Sequence, residues 1–229
     1  MGLGSYWAEV IDVLREIIPV YDKVNTAISF GKDAEHRNRG IKNRVLPGDS
    51  ILDAGSGLGS MSKTAHKICA GDLQIMLYDP LVPMLKNTGN LFEKVPSQSC
   101  GVFEHMPFKE GQFDAVLCGY SLRDAISLKI AISEIHRVLK KGGRLVIVDL
   151  GKPDNKLIRA GASFYLRMIV PIIAYMAGGK LGLKFGTIYG TFQRWPQNKK
   201  LKAILLEKFS KVEFEKDLMG GAIIVAAFK

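Results

Sequence analysis

The chain has 229 residues, 47% hydrophobic and 24% charged, with a mean hydropathy of +0.09; one globular domain with a sizeable core fits these values, and disorder, collagen-like and coiled-coil architectures do not. Three cysteines, Cys69, Cys100 and Cys118, without CxxC spacing, give neither a disulfide framework nor a zinc site, point to a reducing compartment, and with four scattered histidines lead us to expect no metal. The net charge of +10 is carboxy-terminal: residues 1–150 carry 18 Lys and Arg against 17 Asp and Glu, residues 151–229 carry 14 against 5, so nucleic acid or an anionic membrane is the expected neighbour of that part.

In chain order, residues 1–47 read as an amino-terminal helical cap, with an amphipathic run from Ser5 to Ile18 closed by Pro19. No secretory signal is read, and Tyr6 stands where myristoylation needs Ser or Thr. Residues 48–150 form the expected cofactor-binding core. Strands are predicted at Ser50–Ala54, Leu73–Tyr78, Ser99–Phe103, Phe113–Gly119 and Gly143–Asp149, alternating with helical patterns at Ser60–Cys69 and Asp124–Leu139.

Residues 151–195 read as a lid or substrate insertion. Within it, Ala160–Gly179 is long enough to span a bilayer and has one charge, Arg167. Arg167 at mid-span costs about 2.5–3.5 kcal/mol on insertion scales, and Pro171 and the glycines weaken the span further. A buried or interfacial helix is expected, and the flanking Lys152, Lys156, Arg159, Lys180 and Lys184 suit an anionic bilayer surface. Residues 196–229 supply a helix at Gln197–Phe209 and a hairpin, Lys211–Asp217 and Ala222–Phe228, turned by Met219-Gly220-Gly221. The predicted fold is α/β: a doubly wound, mostly parallel seven-stranded sheet in a single domain, with a carboxy-terminal antiparallel hairpin.

Asp53-Ala54-Gly55-Ser56-Gly57-Leu58-Gly59 joins the first strand to a helix. Glycines there let backbone approach a ligand at a helix amino terminus. The spacing is GxGxG rather than the dinucleotide GxGxxG, which points from NAD towards S-adenosylmethionine. Asp79-Pro80, ending the second strand, is a common turn and also where a carboxylate can accept two ribose hydroxyls. Glu104, with His105 beside it after the third strand, is placed to reach an adenine edge.

Taken with Tyr21-Asp22-Lys23-Val24-Asn25, Ile28-Ser29-Phe30-Gly31, Glu104-His105-Met106-Pro107-Phe108, Leu122-Arg123-Asp124, Arg137-Val138-Leu139-Lys140-Lys141-Gly142-Gly143, Trp195-Pro196 and Gly220-Gly221, the chain resembles the ubiquinone/menaquinone biosynthesis C-methyltransferases of UbiE/MenG type, from about Tyr21 onward. It departs in having Leu122-Arg123-Asp124 for LRN and His36-Arg37 for Trp-Lys. The resemblance implies a class I, Rossmann-like methyltransferase that moves a methyl group from S-adenosylmethionine to a ring carbon of a prenylated quinol. We expect a cytoplasmic enzyme held peripherally on the membrane and, because Cys118-Gly119-Tyr120-Ser121 offers no NPPY-like loop and the aromatics lie mainly within an apolar helix, one without nucleic acid; a homodimer stays open.

In that reading Arg123 stabilises the ring oxyanion and Asp124 is the base, with helix capping before Ala125 as the other role of Asp124. Tyr21 and Asn25 close over cofactor or substrate. The cofactor residues are Asp53, Gly55, Ser56, Gly57, Gly59, Asp79, Pro80, Glu104 and His105. His36 and His105 carry no signal of a base beyond being histidines, and Cys118 reads as a packed core residue. The rivals are an RNA methyltransferase, a phospholipid N-methyltransferase and an inactive membrane scaffold.

Overall fold

The computed structural model describes residues 2–88, 92 and 95–229. Seven strands, β1 (Ser50–Ala54), β2 (Gln74–Asp79), β3 (Ser97–Cys100), β4 (Phe113–Gly119), β5 (Leu139–Leu150), β6 (Lys211–Asp217) and β7 (Ala222–Phe228), form one sheet in the order β3-β2-β1-β4-β5-β7-β6. Pairs from β3 through β5 are parallel, and β7 runs antiparallel to both β5 and β6. Of the two hairpin strands, β7 is therefore the reversed one. Ile51, Leu52 and Ala54 of β1 are fully buried, as expected of a strand covered on both faces.

The helices are α1 (Tyr6–Ile17), α2 (Tyr21–Ile28), α3 (Lys32–Ile41), α4 (Ser60–Ile68), α5 (Val82–Lys86), α6 (Leu128–Val138), α7 (Lys156–Phe164), α8 (Val170–Gly182), α9 (Thr187–Arg194) and α10 (Asn198–Leu206). On one face of the sheet Leu52, Val116, Cys118 and Ile147 pack with Ile132 and Ile135 of α6 and Leu201 and Leu205 of α10. On the other, Ile51, Leu117 and Val148 pack with Ile41 of α3 and Met61 and Ala65 of α4. A Cβ on Gly40 would come within 2.5 Å of Val148, so the glycine lets α3 lie against β5.

Strand order reverses between β1 and β4, because β2 and β3 lie to one side and β5 to the other. That switch point opens a crevice beyond the carboxyl ends of β1 and β4, where α/β sheets bind ligands.

Two helices differ from expectation. The one predicted from Asp124 starts at Leu128, and Leu122–Asp124 is a separate 3₁₀ turn followed by extended Ala125, so Asp124 does not cap it. Glu104 fixes this boundary by accepting the N–H of Ser127 at 2.8 Å. The predicted Ala160–Gly179 helix is divided among α7, a π turn at Tyr165–Ile169 and α8. Pro171 explains the break: it lacks the N–H that would continue the ladder, and the N–H of Val170 reaches back five residues to the Tyr165 carbonyl.

That segment is no core helix. Phe164, Met168, Ile172, Tyr175 and Met176 are more than half exposed, and their spacing sets them along one helical stripe. The helical run Lys156–Arg194 is apolar and long enough to cross a bilayer by composition, yet it kinks at Gly179 and packs Ala174 against Val24 of α2 and Phe185.

Candidate active site

After β1 the chain turns through Gly55 and Gly57, both at positive φ. A Cβ on Gly55 would lie 2.4 Å from that of Ser121, so only glycine lets the loops after β1 and β4 meet. Asp53, buried beneath this loop, accepts the Ser62 N–H at 3.0 Å and its hydroxyl at 2.7 Å, tying the first turn of α4 to β1. Burial pushes its carboxyl up to about 6.

Asp79 accepts the N–H groups of Gly57 and Leu81, each at 2.8 Å, and burial raises its pKa. Glu104 spends Oε1 on Ser127 and leaves Oε2 buried with no hydrogen-bond partner among the described residues. Gly55, Gly57, Asp79, Pro80, Glu104 and Asp124 line one cleft, which Trp7, Ile11 and Leu14 of α1 cover. The backbone N–H groups of Leu3 and Gly4 hold this cover by donating to the carbonyls of Ala125 and Ile126.

Four of the residues predicted to bind cofactor do not line the cleft. Asp53 faces Ser62, Ser56 and Gly59 lie outside the lining, and His105 is exposed, its carbonyl accepting the Tyr78 hydroxyl at 3.0 Å. Asp53 Oδ1 and Ser56 Oγ are buried with no hydrogen-bond partner among the described residues.

A larger, mostly apolar cavity of about 420 Å³ adjoins the cleft. Ile158, Tyr165, Leu166 and Phe192 supply apolar wall, and Asn25, His36, Arg37, Tyr120 and Arg123 supply polar groups. Tyr120 lines both spaces. A narrow third cavity touches Tyr21, Asn25, Arg123 and Asp124. The three residues predicted to act in catalysis, Tyr21, Arg123 and Asp124, thus stand together in the partition between cleft and cavity, with Tyr21 and Asp124 absent from the wall of the larger space.

Arg123 Nη1 donates to Asp149 Oδ1 at 2.6 Å, and its Nε lies 3.7 Å from Asp124. Burial works against the guanidinium charge, and Asp124 and Asp149 more than offset it, so its pKa stands above the ordinary range. Burial, with Asp149 and Asp79 adding and Arg123 opposing, pushes Asp124 up to about 6. Burial also raises Asp149 and the Tyr21 hydroxyl, against the pull of Arg123 in each case. One guanidinium thus serves two carboxylates.

Asp149, Tyr120 and Trp7 were not singled out from the sequence. Asp149 and Tyr120 sit at the carboxyl ends of β5 and β4, the positions that the strand-end rule marks for ligands, so a signal for them existed. Trp7 carried no signal beyond its place in an amphipathic helix.

The family model for the ubiE/COQ5 methyltransferase family matches residues 4–229. The chain belongs to this family. A 2-phytyl-1,4-naphtoquinone methyltransferase of Synechococcus elongatus is 26% identical over 92% of this chain and 94% of the relative. A UbiE protein of Geotalea uraniireducens, a ubiquinone/menaquinone biosynthesis C-methyltransferase, is 27% identical over 95% of the chain and 94% of its own length. A demethylmenaquinone methyltransferase of Tropheryma whipplei is 27% identical over 75% and 71%. The fold is shared with a SAM-dependent methyltransferase of Thermotoga maritima, at a TM-score of 0.66 and 16% identity over 95% of this chain and 99% of that one.

This methyltransferase uses S-adenosylmethionine, and the cleft fits it: Gly55 and Gly57 expose backbone, Asp79 offers carboxylate lone pairs, and the free Oε2 of Glu104 accepts. The cleft measures about 60 Å³, well under the roughly 300–1,000 Å³ of ligand pockets.

Proposed function

We propose that the chain methylates a ring carbon of a prenylated quinol drawn from an anionic membrane surface. The observation that carries this reading is the apolar cavity that meets the cofactor cleft at Tyr120 and is walled by α7 and the π turn, whose continuation bears the exposed apolar stripe. An isoprenoid tail suits Ile158, Tyr165, Leu166 and Phe192 far better than a nucleotide would, because nucleic-acid faces interleave exposed aromatics with cations. The names of the relatives place quinone rings among the substrates of this family's members.

The sulfonium of the bound cofactor supplies an electrophilic methyl group. Gly55, Gly57, Asp79 and Glu104 would hold it. The protein's own task is to set the ring carbon in line and to favour phenolate character in the neighbouring hydroxyl. Arg123, fixed by Asp149, faces the larger cavity and holds negative charge on that oxygen. Asp124 lies on the cofactor side, where its carboxylate balances cationic charge. Tyr21 and Asn25 close the partition. The exposed apolar stripe, with Lys156 and Lys180 flanking it, rests on anionic lipid as a peripheral contact.

The test is a reaction of the purified protein with methyl-labelled S-adenosylmethionine and a reduced, prenylated naphthoquinol in vesicles. Label on a ring carbon is expected. Cofactor binding without ring label, or label on vesicle headgroup amines, overturns the reading.

A further inference from the structure

His36 of α3 is 2% exposed and engaged at both ring nitrogens: Nε2 lies 3.1 Å from Asp217 Oδ2, and Nδ1 lies 3.3 Å from the Tyr120 hydroxyl. Asp217, ending β6, also accepts the Leu218 N–H at 2.7 Å and Arg39 Nη1 at 2.8 Å. The bond from Leu218, with His36 and Arg39 assisting against burial, holds its carboxyl at about 2. A carboxylate only accepts, so Nε2 of His36 carries the proton. With that proton on Nε2, Nδ1 takes the acceptor role, and the Tyr120 hydroxyl donates to it. The lone pairs of Tyr120 remain for a further donor.

Tyr120 holds a φ of +58, in the left-handed region that a residue other than glycine rarely adopts. It is held there, in the wall between cleft and cavity, with the Arg37 guanidinium 5.1 Å above its ring and Arg37 paired to Asp33. The charged groups around His36 are Asp33, Arg37 and Arg39 from its own helix, Asp217 and Glu215 from β6, and Arg123 across the cavity.

We propose that Tyr120, His36 and Asp217 form a proton relay that takes the hydroxyl proton of the ring bound in the larger cavity. The inference rests on the quinol reading above. The substrate O–H bond breaks as an O–H bond forms at Tyr120 Oη, and the original Tyr120 proton passes to His36 Nδ1. Asp217 holds the resulting imidazolium, and Arg123 holds the phenolate. After transfer the methylated ring carbon sheds its hydrogen to water as a proton, and the relay returns its own to the oxygen. No electrons leave the ring. Tyr120 is the catalytic group, which touches the substrate, and His36 and Asp217 act through it.

The probe is a nitrophenol carrying an alkyl tail, whose phenolate is coloured. Its colour is titrated against pH on the full-length protein, on His36→Gln and on the near-isosteric Tyr120→Phe, with S-adenosylmethionine affinity and melting temperature measured alongside. On the native protein the phenolate should persist to a proton concentration about tenfold higher than on either variant, with cofactor affinity unchanged in His36→Gln, whose side chain lies outside the cofactor cleft. Equal titration on all three proteins, with the probe displaced by a prenylated naphthoquinol, overturns the relay and leaves the quinol reading standing. A probe that does not bind the native protein, or that the naphthoquinol does not displace, overturns both.

Discussion

Replacing Ile172 and Met176 by aspartate attacks the proposed membrane face without touching the core, since these side chains are 57% and 73% exposed. Full burial of such a side chain is worth about 1.5–3 kcal/mol, so their exposed portions together offer about 2–4 kcal/mol when fully immersed. Interfacial depth recovers roughly half of that, and two new negative charges near an anionic surface each cost up to about 1 kcal/mol. The double variant Ile172→Asp, Met176→Asp should therefore lose about 3 kcal/mol of binding, roughly 150-fold. The assay is cosedimentation with vesicles containing phosphatidylglycerol. Folding stability should stay within about 0.5 kcal/mol of the native protein, because both positions face solvent. Native-like sedimentation of the variant would refute the docking face, as would a native protein that stays in the supernatant.

Three further outcomes are expected. Gly55→Ala sets a Cβ 2.4 Å from that of Ser121 at positive φ; it should cost about 2–4 kcal/mol in urea unfolding and abolish cofactor binding by calorimetry, and an affinity within twofold of native contradicts the close approach of the two loops. Trp7 covers the cleft, so cofactor binding should change tryptophan fluorescence in the native protein and not in Trp7→Phe; equal signals would mean that α1 stays in place. Asp124 has its pKa raised from the ordinary 3.8 to about 6, so the folded state holds that proton more tightly than the unfolded chain. Its contribution is full below about pH 4 and lost as the pH rises through about 6, and native stability minus that of Asp124→Asn should fall by about 3 kcal/mol across that window in urea titrations. A constant difference would show that Asp124 titrates normally.

Strands β1, β4, β6 and β7 were legible to the residue because glycine, aspartate and short apolar runs bound them. The cofactor loop was legible for a related reason: strand, glycines and helix are contiguous, so local sequence states the whole motif. The start of α6 was not, since Ile126 and Ile130 continue a helical period while the bond that sets the boundary comes from Glu104, 23 residues away. Ile130 is accordingly 51% exposed. His36 was passed over for the same physical reason, because its partners Tyr120 and Asp217 lie 84 and 181 residues away and only the closed sheet brings them together. Asp53 ties β1 to α4 through Ser62 with one carboxylate oxygen and leaves the other, Oδ1, buried without a partner among the described residues, a division of labour that residue type alone does not reveal.

The central claim, transfer of methyl to a quinol ring carbon, is tested most directly without choosing a substrate beforehand. A membrane lipid extract from cells lacking the protein, incubated with the purified enzyme and methyl-labelled S-adenosylmethionine, is examined by mass spectrometry. Label on a ring carbon of a prenylated quinol is the expected result. Label on a headgroup amine, or none despite cofactor binding, would contradict it.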